Sequence, residues 1–134
     1  KRARSLDIRA SYDPEHPLFV DGNRELLEWV IDNLLKNALD AIDSSEWLIQ
    51  VCARSNMNNQ SISVTVQDNG KGIPHGTHRQ VFDPGFTTKQ RGWGLGLSLA
   101  KRIIEEYHRG RLTLRENNPG EGTTFEIVLP VSGG

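Results

Sequence analysis

The sequence predicts a two-layer α/β sandwich, with helices packed on one face of a mixed, mostly antiparallel sheet. Two segments, about 24–43 and 95–107, carry apolar residues at helical spacing, and six others have the alternation or the length of strands. Their order is strand, strand, helix, strand, strand, loop, helix, strand, strand. Helices recur too seldom for a doubly wound parallel sheet, so one helical layer on one sheet is the simplest packing.

Length and composition predict one domain, residues 1–134, and we expect the chain to be a piece of a longer soluble region. The formal net charge of −1 gives no electrostatic attraction to nucleic acid or to an anionic membrane surface. No apolar run approaches the ~18 residues of a membrane span. The lone Cys52 lies in an apolar run and is predicted to be a small core residue. A single cysteine excludes an internal disulfide, which suits a reducing, cytoplasmic compartment.

The predicted strands are 6–12, 18–20, 47–54, 61–67, 111–115 and 123–131. In the fourth, alternation places Ile62, Val64 and Val66 on one face and Asp68 at the exit of the strand. Asp68 stands before a glycine-rich stretch, residues 69–74. This arrangement is typical of a turn, but it also suits a carboxylate acceptor placed where glycines let a ligand ring approach.

The first helix, about 24–43, is predicted to be capped by Asn23 or Asp21. A wide apolar stripe faces the core, and four charged residues form the solvent row: Glu28, Asp32, Lys36 and Asp40. Asn33 and Asn37 stack along the edge of the stripe, where each costs roughly half a kcal/mol relative to alanine. Either they simply face solvent or a site needs their amides.

The second helix follows three glycines at alternate positions, within residues 91–97. Two apolar rows are predicted to face the core: Leu95, Leu99 and Ile103, and Ala100, Ile104 and Tyr107. Glycines beside the unpaired N–H groups of a helix start are typical of a phosphate site. The alternative is a flexible entry loop.

The connection between the glycine-rich stretches, residues 74–92, has little periodicity and is long enough to be functional or mobile. Val81, Phe82 and Phe86 are its predicted anchors. The four histidines, His16, His75, His78 and His108, are predicted to be solvated, with no convincing metal spacing.

Five ordered stretches resemble the ATP-binding catalytic domain of sensor histidine kinases, within the superfamily of gyrase-type, chaperone and mismatch-repair ATPases. Residues 33–41 resemble the N box, 68–73 the first glycine box and 81–89 the F box. Residues 92–97 are similar to the second glycine box and 120–125 to the last glycine motif. The resemblance implies a Bergerat-type ATP-binding fold, with ATP and Mg²⁺ as its cofactors.

The resemblance also implies roles for individual residues. Asn37 is expected to coordinate Mg²⁺ through its amide oxygen and to be catalytic together with Lys89. Asp68 is expected to accept a hydrogen bond from the adenine amino group. Residues 74–92 would form the nucleotide lid. The full expected nucleotide-binding set is Asn33, Asn37, Asp68, Gly70, Gly72, Ile73, Phe82, Thr88, Lys89, Gly92, Gly94, Leu95, Gly96, Leu97 and Thr123.

Asn33 favours a kinase over an ATPase. Hydrolytic members of the superfamily usually have a water-activating glutamate four residues before the Mg²⁺-binding asparagine, and an amide cannot take a proton at neutral pH. The expected partners are a phosphoacceptor-histidine dimerisation domain of the same parent protein and a response regulator receiver domain, with no nucleic acid and no direct membrane contact. The alternatives are a nucleotide-driven clamp and a degenerate nucleotide sensor.

Three positions depart from the commonest family pattern. Asp40 stands where a basic residue is frequent, so that phosphate contact is missing or replaced by Lys36, Lys89 or Arg91. Trp93 takes the place of a small residue, and Arg109 stands where a second glycine often follows the helix.

Overall fold

The computed structural model describes residues 4–11, 19–40, 47–56, 60–70, 80–83, 96–118 and 122–132. Its five strands are β1 (Arg4–Ser11), β2 (Trp47–Asn56), β3 (Ser61–Asp68), β4 (Arg111–Asn118) and β5 (Gly122–Pro130). Its helices are α1 (Arg24–Asp40) and α2 (Gly96–Arg102), which continues as a π-helical turn, Ile103–Tyr107. No helix within these ranges is both long and apolar enough to cross a membrane.

The five strands form one sheet in the order β1-β2-β3-β5-β4, which is the predicted mixed and mostly antiparallel sheet. Only β1 and β2 run parallel. The predicted strand at 18–20 is wrong for its two described residues, Phe19 and Val20. The carbonyl of Phe19 accepts a hydrogen bond from the N–H of Ser132 at 2.6 Å, so this segment is tied to the end of the chain after β5.

The alternation of β3 has the predicted faces. Val66 is buried on the helix-covered face, where it pairs with Val51 of β2 and Phe125 of β5. The opposite face presents Ser63 and Thr65. Cys52 lies in register with Thr65, so it is half-buried on that polar face and is not a core residue as predicted.

Helix α1 begins at the predicted cap. The side-chain oxygen of Asn23 accepts from the N–H of Leu26 at 3.1 Å, and its carbonyl accepts from the N–H of Leu27 at 3.0 Å. Val30, Leu34 and Ala38 are buried in the core. The solvent row lies where it was predicted, and residues 41–43 of the predicted helix lie outside the described part of the chain.

The second helix departs from the predicted α-helical rows at its C-terminal end. Ala100, Ile103 and Ile104 are buried, but Leu99 is 41% and Tyr107 62% exposed. Hydrogen bonds in a π-helix run from i to i+5, so the residue stacked over Ile103 shifts by one position. His108 therefore takes the buried place that α-helical spacing assigns to Tyr107.

Candidate functional site

Asp68 ends β3 on the helix-covered face and is 8% exposed. Its Oδ1 accepts from the N–H of Gly70 at 2.8 Å, and the backbone N–H of Thr123 also bonds to the carboxylate. Burial raises the pKa of Asp68 above its ordinary value of 3.8, and the two backbone hydrogen bonds act in the opposite direction. A carboxylate has about four acceptor positions, so two backbone donors leave capacity for a ligand N–H.

The backbone around Asp68 is fixed by its two neighbouring strands. Thr123 of β5 lies directly opposite Asp68 in the ladder. Gly122 has φ +145° and lies against the carbonyl oxygen of Asp68, where a Cβ would overlap that atom. Asn69 closes the other side, because its Oδ1 accepts from the N–H of Leu48 at 2.8 Å. The exit of β3 is thereby held from both sides.

Asn33 and Asn37 lie one turn apart on α1, and both are half-buried. The side chain of Asn33 points at the start of α2, where a Cβ on Gly96 would overlap its Oδ1. Helix α1 also packs on β3, the strand that ends at Asp68. The interpretation that these asparagines simply face solvent is therefore wrong for Asn33.

Phe82 lies against the sheet at the other end of α2. Its ring meets that of Phe125 edge to face, with centroids 5.9 Å apart and planes at 80°. The ammonium of Lys101 stands 4.8 Å from the centroid of the Phe82 ring. Val81, beside it, is 2% exposed, so two of the predicted anchors of this connection are confirmed.

The structure brings the described predicted residues into three groups. Asp68, Gly70 and Thr123 form one, Asn33 and Gly96 the second, and Phe82 with Phe125 the third. Asn37 lies one turn beyond Asn33, and Leu97 packs partly buried against the core. Seven predicted residues lie outside the described part of the chain: Gly72, Ile73, Thr88, Lys89, Gly92, Gly94 and Leu95.

Asp40 stands where relatives often have a basic residue, and two of its proposed replacements, Lys89 and Arg91, also lie outside the described part of the chain. The third, Lys36, pairs with Asp32 at 3.0 Å on the exposed row of α1. An open cavity of about 630 Å³ lies along α1 beside Phe19, Leu27 and Ile31, and none of the predicted nucleotide-site residues lines it.

Three residues that join separate segments of the fold were not among the predicted site residues. Asn69 bonds to β2, and Lys101 contacts Phe82. His108 is predicted to be solvated, and this is wrong. It is 5% exposed, its Nε2 accepts from the N–H of Asn23 at 2.9 Å, and its Nδ1 donates to the carbonyl of Ile103 at 2.8 Å. All three contacts join residues from different elements, so local sequence pattern carries no signal for them.

These groups define the chemistry that the site offers. A buried carboxylate with spare acceptor capacity recognises an amino group such as that of adenine. An amide oxygen on α1 suits Mg²⁺, which needs few protein ligands because it keeps waters and binds substrate phosphates. A glycine at the start of α2 lets a phosphate approach backbone N–H groups. The described residues therefore fit Mg-ATP.

The fold and these residues define a nucleotide-binding α/β sandwich. The family of histidine kinase-, DNA gyrase B- and HSP90-like ATPases matches residues 22–133, and the chain belongs to it.

The curated relatives are sensor kinases. The signal transduction histidine-protein kinase AtoS of Escherichia coli (strain K12) is 39% identical over 113 residues, which cover 84% of this chain and 18% of that protein. The C4-dicarboxylate transport sensor protein DctB of Rhizobium meliloti (strain 1021) is 44% identical over 109 residues, covering 81% and 17%. The chain thus spans less than a fifth of the length of these two relatives.

Solved structures give the same fold. A nucleotide-free catalytic domain of the histidine kinase ThkA has a TM-score of 0.76 at 33% identity, over 93% of this chain and 80% of that one. The mycobacterial sensor histidine kinase MprB has a TM-score of 0.78 at 24% identity, over 94% and 82%, and shows the fold alone. The predicted resemblance to histidine-kinase catalytic domains is confirmed.

Proposed function

We propose that this chain binds Mg-ATP and donates the γ-phosphate to a histidine on a separate dimerisation domain of its parent sensor kinase. In this proposal the receiver domain of a response regulator takes the phosphoryl group next. The single observation that carries the proposal is the placement of Asn33. Its amide lies against Gly96, at the point where the resemblance puts the phosphates, and an amide is no base for water.

Recognition of the nucleotide is assigned to Asp68. Its carboxylate accepts from the adenine amino group, whereas guanine presents a carbonyl there and is rejected. Gly70 and Thr123 keep the carboxylate oriented through their backbone N–H groups. Because the carboxylate is already oriented, less conformational entropy is lost when the nucleotide binds.

Transfer is assigned to the other end of the site. Asn37 would hold Mg²⁺ through its amide oxygen, and the ion would neutralise phosphate charge. Lys89 is proposed to contact the terminal phosphate. Because phosphoryl transfer depends mainly on positioning and charge neutralisation, the chain needs no base of its own when the nucleophile is a partner imidazole. The lone Cys52 fits a cytoplasmic location for the domain.

The test is transfer of radiolabelled phosphate from Mg-ATP to the dimeric, histidine-bearing helical hairpin of the parent protein. We expect labelled hairpin in the presence of the chain and very slow release of inorganic phosphate by the chain alone. Asn37→Ala should abolish labelling but weaken binding of Mg²⁺-free nucleotide much less. Turnover of about 1 s⁻¹ or more without the hairpin, in the range of working enzymes, would identify a hydrolase instead.

A further inference from the structure

Lys101 joins two stretches that are predicted to contact the nucleotide and are far apart in the sequence. Its ammonium is 4.8 Å from the ring centroid of Phe82, which lies in the F-box stretch. Lys101 itself belongs to the helix that begins at Gly96, beside Asn33. A single side chain therefore connects Phe82 with the helix that carries the second glycine box.

The ammonium is held in this place by two further groups. Glu105 Oε2 pairs with it at 2.9 Å, and the carbonyl of Leu112 in β4 accepts from it at 3.3 Å. Glu105 is itself positioned, because its Oε2 also accepts from the N–H of Leu112 at 3.4 Å. The lysine side chain is 37% exposed. An ammonium that is partly removed from water and fixed by neighbours interacts more strongly with an aromatic face than an exposed one does.

Phe82 is thus fixed on two sides. Phe125, 6% exposed in β5, packs edge to face against the ring, and Lys101 stands over it. The N–H of Asp83 bonds to the carbonyl of Gln80 at 2.9 Å, which closes a turn that contains Val81 and Phe82. The predicted phosphate contact Lys89 follows Phe82 in the sequence and precedes Gly96. Phe82 and Gly96 lie on either side of Lys89 in the sequence, and Lys101 joins Phe82 to the helix that begins at Gly96.

We infer that Lys101 is a positioning residue for nucleotide binding, acting through the ring of Phe82 and not through contact with ATP. The inference rests on the proposed function. The positioning role of Lys101 requires its positive charge, because a neutral side chain of similar length packs beside the Phe82 ring without being attracted to the π face.

The test measures the Kd for Mg-ATP by calorimetry in the full chain, with folding checked by circular dichroism. Lys101→Met should weaken binding about fivefold, within the range of a partly desolvated cation–π contact. Lys101→Arg should stay within about twofold of wild type, since it keeps the cation. Lys101→Gln keeps a hydrogen-bond donor without the charge and serves as a second variant; it should behave like Lys101→Met.

The neighbouring Arg102 provides a matched control. It forms the same kind of i,i+4 ion pair, with Glu106 at 3.2 Å, but both side chains are largely exposed. Arg102→Met should leave the Kd unchanged. In a Phe82→Leu background, Lys101→Met should cause no further weakening, because the ring through which it acts is gone.

A merely structural lysine would lower the free energy of unfolding without changing the Kd of the folded protein. An unchanged Kd in both neutral variants overturns the inference, as does an undiminished effect of Lys101→Met in the Phe82→Leu background. Failure of the wild-type chain to bind Mg-ATP overturns the proposed function, and the inference with it. The two failures are therefore distinguishable.

Discussion

Gly96 lies so close to Asn33 that a Cβ on residue 96 would overlap the Oδ1 of the asparagine. The contact joins the start of α2 to the middle of α1. Glycine is required here by the space available and not by a special backbone angle, because a left-handed φ is found at Gly122 and Arg109 but not at Gly96. The approach of the two helices at this point is therefore set by the absence of a side chain.

Gly96→Ala should weaken both folding and nucleotide binding. The added methyl group forces Asn33 or the whole of α2 to move, which typically costs about 1–3 kcal/mol of stability. Urea unfolding and calorimetry with Mg-ATP measure the two effects. The background variant Asn33→Ala removes the overlapping atom, so Gly96→Ala should cost markedly less stability there. An equal loss in both backgrounds would show that the Asn33 contact is not the cause.

The carboxylate of Asp68 is expected to contribute to ATP affinity. Asp68→Asn removes a charge-assisted hydrogen bond to the adenine amino group, and the Kd for ATP should rise about tenfold. The matched control is Asp21→Asn, because Asp21 is an exposed carboxylate outside the predicted binding set and outside the predicted lid. Unchanged ATP affinity in Asp68→Asn would contradict the proposed role of this carboxylate.

The same carboxylate predicts a pH dependence of stability. Its pKa is raised in the folded protein, chiefly by burial, so the folded state binds the proton more tightly than the unfolded state does. The resulting contribution to stability is fully present below the ordinary value of 3.8 and is lost as the pH rises through the folded pKa. The free energy of unfolding of wild type minus that of Asp68→Asn should therefore fall as the pH is raised from about 3. Urea titrations at several pH values check this, and a rise would contradict it.

Local patterns predict most of the fold. The alternation in β3 correctly placed Val66 on the apolar face and Asp68 at the exit of the strand, because register in a half-buried strand follows its apolar residues. The apolar stripe of α1 likewise gave its buried side and its solvent row. The strand predicted at 18–20 is wrong for Phe19 and Val20, because three residues carry too little periodicity to distinguish a strand from a loop.

The candidate site could be predicted only in part. Its motifs are local in sequence and were recognised through a family resemblance, but the contacts of Lys101 with Phe82 and of His108 with Asn23 join distant segments. Tyr107 was assigned to the core because α-helical spacing was assumed. The π-helical turn changes that spacing, and the residue types at 103–107 do not distinguish a π-helix from an α-helix.

His108 predicts a loss of stability unusual for a histidine at a helix end. One ring nitrogen accepts from the backbone N–H of Asn23, the residue that caps α1, and the other donates to the carbonyl of Ile103. His108→Leu therefore leaves the N–H of Asn23 without its acceptor and removes one hydrogen bond to the carbonyl of Ile103. Leaving a desolvated donor unsatisfied costs about 1–3 kcal/mol. Chemical unfolding should show the loss, whereas Tyr107→Ala, next to it and exposed, should change stability little. A cost for His108→Leu no larger than that for Tyr107→Ala would refute the role.

Arg109 predicts a stabilising substitution. Its φ of 56° is left-handed, a conformation that glycine adopts without steric penalty. It stands at the turn that ends the second helix, where the N–H of Gly110 bonds to the carbonyl of Ile104 at 2.8 Å. Arg109→Gly relieves the strain but gives the unfolded chain more freedom, so we expect a net gain of up to about 1 kcal/mol. Urea unfolding measures it, and Arg109→Ala, which keeps a Cβ, should show no such gain. A glycine variant less stable than the alanine variant would mean that the arginine side chain contributes more than its backbone strain costs.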